Sequence, residues 1–233
     1  MTEQMPARKS TWKQDPEAVK ADILRIATAE FADRGLSGAR IDEIAAKTSV
    51  SKRMIYYYFQ DKEGLYRAVL EGVYARLRAN ENALDLEGLD PVAALAELTK
   101  ATFDSHRTLP DFIRLVMIEN IHHATYMKQS SIIPRLNSKI IATLTSLCAR
   151  GRAAGVFHDT VDPVELHWMI SAMSFYNVSN RDTFSHSFGP EMYTQEGQER
   201  LRNRVVDAVL AMTVIGYHQK TPAGGAATAS RTF

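Results

Sequence analysis

The stretch from Ile41 to Phe59, IDEIAAKTSVSKRMIYYYF, followed at once by QDKEGLYRAVL, sets the tightest limits on the fold. Its apolar residues fall at helical spacing on either side of Thr48, Ser49 and Val50, so it reads as two short helices joined by a tight turn. Ser51 is placed to cap the second helix by accepting a backbone N–H. Ile55, with Val50 and Phe59, can point back to a core, which spreads Lys52, Arg53, Met54, Tyr56 and Tyr57 over the open faces. From Ile44 to Gln60 there is no Asp or Glu, while Lys47, Lys52 and Arg53 are present. A polyanion can approach such a segment without meeting a negative charge. The pattern is that of a helix-turn-helix.

The rest of the chain narrows the setting. Its 233 residues suit one large domain or two small ones, and 45% hydrophobic with 24% charged residues is ordinary for a soluble globular protein. A formal net charge of +1 gives no global sign of nucleic-acid binding, so that property has to come from where the charges sit. The single cysteine, Cys148, cannot form an internal disulfide or a cysteine-based zinc site, and reads as a small buried hydrophobe. Neither a signal-peptide run nor a membrane-length apolar segment is visible, which predicts a cytoplasmic protein without a membrane partner. Strand signals are scarce and spacings of three and four recur, so the expected fold class is all-α, with about nine helices.

Residues 1–15, with Arg8, Lys9, Trp12 and Lys13, read as a flexible basic arm. A first helix opens at Pro16 and runs to Arg34, with Gly35 as its stop. A second covers Arg40–Thr48, and Asp61 caps a fourth that reaches about Asn80, with Leu65, Ala68, Val69 and Leu70 turned inward. The acidic, Gly- and Pro-marked stretch DLEGLDP at 85–91 looks like the seam to a larger C-terminal part. Beyond it helices are expected over Pro91–Arg107, Pro110–Tyr126, Ser131–Ala154, Pro163–Asn180 and Gln195–His218. The phrase FSHSFGPEMY reads as a loop, and the tail 219–233 as disordered.

Taken together, ILRIATAEFADRG, IDEIAAKTSVSK and IYYYFQDKEGLYRAVL resemble the N-terminal module of TetR-type transcriptional regulators. The joint signal consists of Phe31 and Gly35 closing the first helix, Ile44-Ala45, Val50-Ser51-Lys52 at the turn, Tyr56, Tyr58-Phe59 and Lys62-Glu63. The resemblance implies an all-α homodimer that holds double-stranded DNA at a palindromic operator. Residues 16–62 would be the DNA-binding domain, and 63–218 would bind a small-molecule effector and dimerise. It implies phosphate contacts from Tyr56 and Lys62 and groove contacts from Lys52, Arg53 and Tyr57, with Ser51 and Met54 on the same helix. Two departures stand out. Ala39-Arg40 replaces the usual Ser or Thr, so a longer arginine contact from Arg40 can take over from a hydroxyl, and Ser49 stands where Gly is common. GARIDEIA, SHRTLPDFIRLVMIEN and the closing helices are similar to the subgroup of the pyrimidine-utilisation regulator.

In the C-terminal part, polar or aromatic residues interrupt apolar helices, and a ligand pocket wants that mixture. The candidates are Phe103, Arg107, Met117, Asn120, His123, Trp168, Phe175 and Tyr176, beside His106; a buried Arg107 would favour an anion, an exposed one a surface ion pair. The helices 163–181 and 195–218 are the expected dimer interface. His122 and His123 are neighbours about 100° apart on a helix and do not chelate one ion together, so no metal or cofactor is expected. With neither a phosphate-cradling Gly-rich loop nor a nucleophile–base set, enzyme activity is not expected. Two functions stay open: a ligand-released repressor, or a structural DNA-binding factor that docks a protein partner and has no effector.

Overall fold

The computed structural model describes residues 15–218, which form ten α-helices, two 3-10 turns and one isolated β-bridge. The basic arm, Asp15 excepted, and the tail expected at 219–233 lie outside the described residues. The helices are α1 (Pro16–Gly38), α2 (Ile41–Lys47), α3 (Lys52–Phe59), α4 (Lys62–Asn82), α5 (Pro91–Thr108) and α6 (Pro110–Ile121). They continue with α7 (Ile132–Ala153), α8 (Pro163–Ser179), α9 (Arg181–Phe188) and α10 (Gln195–Thr213).

Three of these helices start with the same device. Asp15, Asp90 and Asp162 each stand before a proline and accept two backbone N–H bonds from the first turn. The proline supplies a helical φ where its missing N–H costs nothing, and the carboxylate answers two of the orphan donors. At the other end of α1 the helix breaks at Gly35, whose φ of +66° is open to glycine at little cost. Ser51 Oγ accepts from Met54 N at 3.4 Å and Asp61 Oδ1 from Gly64 N at 2.6 Å, so α3 and α4 begin where expected. The corner between them carries the strain. Gln60 has φ +70°, whereas Ser49 in the preceding turn does not enter the left-handed region.

Three expectations need correction. First, α6 stops at Ile121 rather than Tyr126, because His123 and Ala124 take consecutive positive φ values. Glu119 Oε2 accepts from Met127 N at 2.9 Å and holds the chain that follows. Ahead of α7 the N-cap residue Ser131 makes no side-chain cap bond, and the Ser130 hydroxyl instead accepts from Ile132 N and Ile133 N while donating to Glu71 on α4. Second, the phrase expected to be a loop begins inside α9, whose Phe184 and Phe188 rings meet at 4.7 Å, tilted by 45°, one turn apart. Third, α10 ends at Thr213, since Val214 leaves the helix to pair with Phe157 and Thr213 O accepts from His158 N.

Apolar packing divides into two clusters, and the division does not follow the sequence seam. One joins α1, α2 and α3 to α4 as far as Leu77, to α6 and to the start of α7. The other joins α5, the rest of α7, α8 and α10. Within the second, Gly151 lies so close to Phe157 that an added Cβ would sit 2.2 Å from the ring. Gly151→Ala therefore costs about 1–3 kcal/mol of unfolding free energy through overpacking. Gly72→Ala on α4, where nothing lies within 4 Å, raises stability by about 0.5–1 kcal/mol. Urea unfolding of the two variants checks both signs.

Candidate nucleic-acid interface and effector-domain sites

α3 presents two different faces. Ile55 is fully buried, and Val50, Tyr58 and Phe59 pack half-buried against the same cluster, so the helix cannot rotate without exposing apolar surface. The opposite face carries Lys52, Arg53, Tyr56 and Tyr57, all exposed; Tyr57 is 76% exposed, while Met54 is half-buried. Ser51 is exposed at the helix start, and Lys62 is half-buried at the start of α4. Arg40 is the exposed N-cap residue of α2 and makes no side-chain cap bond.

Folding supplies the acids that the stretch from Ile44 to Gln60 lacks. Lys52 Nζ lies 2.9 Å from Asp42 Oδ1 on α2, and that bond is the first cause raising its pKa. Lys47 pairs with Glu30 at 2.7 Å, and Arg34 with Glu30 and Glu43. Of the cations on this face, Arg40, Arg53 and Lys62 have no carboxylate within ion-pair distance among the described residues. A guanidinium without a carboxylate partner is free to bond guanine O6 and N7 together or to meet a phosphate.

The eight C-terminal candidates do not converge on one site. Phe103 is buried in the packed interior. Arg107 and Met117 line a cleft of about 1140 Å³ between the end of α1, α6, the α8–α9 junction and α10. Arg107 is exposed and shares Asp104 with Arg202, so it is the ion-paired surface arginine of the two readings. Tyr176 lines a smaller groove of about 490 Å³ with Phe184 and Tyr193. Asn120 and His123 are exposed at the end of α6 and line neither space, and Trp168 is 69% exposed on α8. Phe175 is half-buried beside His106, with ring centroids 6.4 Å apart. Among the described residues no three His, Cys, Asp or Glu side chains gather, and no helix is long and apolar enough to cross a membrane.

What sequence reasoning missed lies deeper. Arg78 and Glu81 on α4 are both buried and paired at 2.5 Å, and Arg78 Nε and Nη2 reach Asn137 Oδ1 on α7 at 3.2 and 3.0 Å. His106 on α5, which the sequence had set beside the pocket candidates, is buried, and His167 on α8, which it had not, is half-buried. Burial first, then the Arg78 charge, pushes each imidazole down to about 4. The only available signal was the repetition of polar residues at positions where each helix should be apolar, and charges at such spacing usually mark a solvated face.

Two family models match the chain: "Bacterial regulatory proteins, tetR family" over residues 23–69 and "Tetracyclin repressor-like, C-terminal domain" over residues 91–209. The chain belongs to the TetR family. It is 32% identical over 172 residues to the transcriptional repressor NicS of Pseudomonas putida, covering 74% of this chain and 81% of NicS. Similarity to the regulator RutR of Escherichia coli is 30% over 170 residues, covering 71% and 77%. The crystal structure of the transcriptional regulator SCO4942 from Streptomyces coelicolor superposes with a TM-score of 0.64 at 25% identity, covering 84% of this chain and 98% of that one. Fatty acid degradation regulator FadR from Bacillus halodurans shares the fold, with a TM-score of 0.64 at 18% identity over 88% and 97% of the two chains. This TetR-family member is therefore a transcriptional regulator with repressor homologues, not an enzyme.

Burial of His106 should make the stability of this chain fall in acid. Between pH 6.5 and 4 the unfolded chain takes up a proton on residue 106 that the folded chain refuses. Stability present above pH 6.5 is thus lost as pH falls, by on the order of 3 kcal/mol for a shift to about 4. Glu81, raised by burial, acts in the opposite sense, so the comparison of variants is the readout. His106→Asn should flatten the loss of unfolding free energy between pH 6.5 and 4, measured by urea titration.

Proposed function

We propose that this protein is a ligand-responsive repressor that binds a palindromic operator as a homodimer and is released by a small-molecule effector. Residues 16–62 read DNA and residues 63–218 dimerise and bind the effector. The carrying observation is the exposed side of α3, where Arg53 has no carboxylate partner among the described residues and stands beside the 76%-exposed Tyr57. Arg53, Tyr57 and Met54 meet base edges, while Ser51, Tyr56, Lys62 and Arg40 hold phosphates. Lys52 joins them by giving up Asp42. The double change Arg53→Ala and Tyr57→Ala removes groove contacts worth about 1–3 kcal/mol each, so discrimination between operator and random DNA disappears while weak salt-dependent binding survives. Footprints unchanged from the unaltered protein would refute the assignment.

The dimer follows from unpartnered apolar surface. Val164, Trp168 and Tyr176 recur at multiples of four on α8, and Met212 near the end of α10 and Ile215 just beyond it are exposed. A row of this kind calls for a self-complementary partner, and a four-helix bundle across a two-fold axis buries it. Two-fold symmetry then sets paired recognition helices at half-site spacing. Trp168→Glu with Met212→Glu should give a monomer in sedimentation velocity and at least a tenfold loss of operator affinity. A stable dimer in that variant would show that the interface lies elsewhere. Release needs an effector with unequal affinity for two spacings of the reading heads, and the C-terminal domain of this cytoplasmic regulator supplies the place for it.

A further inference from the structure

Two kinds of ion pair occur in the reading module. Glu30, whose side chain is 3% exposed, gathers Lys47 of α2 and Arg34 of α1, and Arg34 also holds Glu43 of α2. Those bonds fasten α2 to α1. The bond between Lys52 and Asp42 is different, because it links α2 to the first residue of α3 and leaves both side chains open to solvent, at 46% and 61%. The ammonium sits across the carboxylate, 2.9 Å from Oδ1 and 3.0 Å from Oδ2. An exposed pair of this kind adds little to stability. It stands instead at the end of α3 from which a recognition helix meets base edges.

Contact with DNA creates a difficulty for Asp42. Once the ammonium turns to a base, the carboxylate faces a polyanion, and among the described residues no second cation lies within ion-pair distance of it. The major groove offers a carboxylate one kind of partner, the amino group of cytosine N4 or adenine N6. To an ammonium it offers the keto oxygens, guanine O6 or thymine O4, and purine N7. In every Watson–Crick pair one amino group and one keto oxygen are hydrogen-bonded to each other, about 2.9 Å apart. Lys52 Nζ and Asp42 Oδ1 have that same separation. A donor and an acceptor on the protein therefore match an acceptor and a donor on a single base pair.

We propose that Asp42 is a specificity-determining residue, and that with Lys52 it reads one base pair of each half-site: Asp42 accepts from the amino group and Lys52 donates to the keto oxygen. The two side chains then separate G·C and T·A from C·G and A·T, since only the first two carry the keto oxygen on the strand below Lys52. Reversing the base pair sets the carboxylate against an oxygen. A guanidinium on guanine selects one purine, whereas this pair sorts keto from amino bases across the purine–pyrimidine divide. Where the base pair faces the wrong way, Lys52 stays on Asp42 and gives phosphates no free charge, so binding to unrelated DNA is held down. The inference rests on the reading of α3 as the helix that meets base edges.

Selection of the full-length protein on a library of randomised duplexes, repeated with Asp42→Ala and Lys52→Ala, tests it. The wild-type motif should hold one position per half-site where G and T are both accepted and A and C are disfavoured at least about fivefold. Asp42→Ala should erase that preference and leave the other positions in place. Lys52→Ala should weaken the same position, so the attribution stands on either variant if the other fails to fold. On a duplex of random sequence Asp42→Ala sets Lys52 free, and the slope of log affinity against log salt should steepen by about 0.9. A keto/amino position that both variants retain, an unchanged salt slope, or an equal gain for every sequence in Asp42→Ala overturns the inference; the last would mean that the carboxylate only repels DNA. A wild-type motif with no keto/amino position overturns it without any variant and leaves α3 as the reader. No enriched motif at all overturns the reading of α3 as well.

Discussion

The edge-to-face chain from Phe31 through Tyr66 to Tyr126 holds the reading module to the rest of the molecule. Phe31 on α1 meets Tyr66 on α4 at 5.1 Å, and Tyr66 meets Tyr126, beyond α6, at 5.4 Å. Phe31 and Tyr66 are fully buried, and such pairs contribute about 0.5–1.5 kcal/mol each beyond their apolar area. Because α2 and α3 pack on α1 and α4 through Ile44 and Ile55, the orientation of the exposed α3 face is fixed by this stack. α6 adds a direct tie, since Arg114 Nε donates to Ala32 O at 2.8 Å just before the break at Gly35. The reader and α6 are one packed body.

That body meets the second one across a polar layer, flanked on α8 by Phe175 and Val178, which pack against the first cluster. Between the clusters run the Arg78–Glu81 pair, Asn137, His106 and Ser174, and an interface of this composition is less costly to rearrange than a close-packed core. A cleft of about 1140 Å³ lies between the end of α1, α6, the α8–α9 junction and α10.

Local chemistry was legible in the sequence where a rule acts over a few residues. The Ser51 and Asp61 caps and the buried Ile55 follow from side chains within one turn, and all three are as expected. The Asp42 partner of Lys52 was hidden, because the acid-free run was counted along the chain and the acid arrives from the neighbouring helix. Trp168 and Tyr176 were read as pocket walls because an aromatic residue inside an apolar helix looks the same facing a cavity or facing outward; Trp168 is exposed away from both cavities, while Tyr176 is exposed at the edge of the smaller groove. Arg78 and Glu81 were passed over for the converse reason. A charged pair three apart on a helix ordinarily marks a solvated face, and only tertiary packing reveals that this one is buried.

Native-state hydrogen exchange of the full-length protein tests the two-body account most directly. Amides of α1, the first half of α4 and α6 should share one opening free energy, and those of α5, α8 and α10 a second, distinct value. The α3 amides should follow the first group. A single value across all ten helices, or a reader of α1 to α3 that opens independently of α6, would contradict the account.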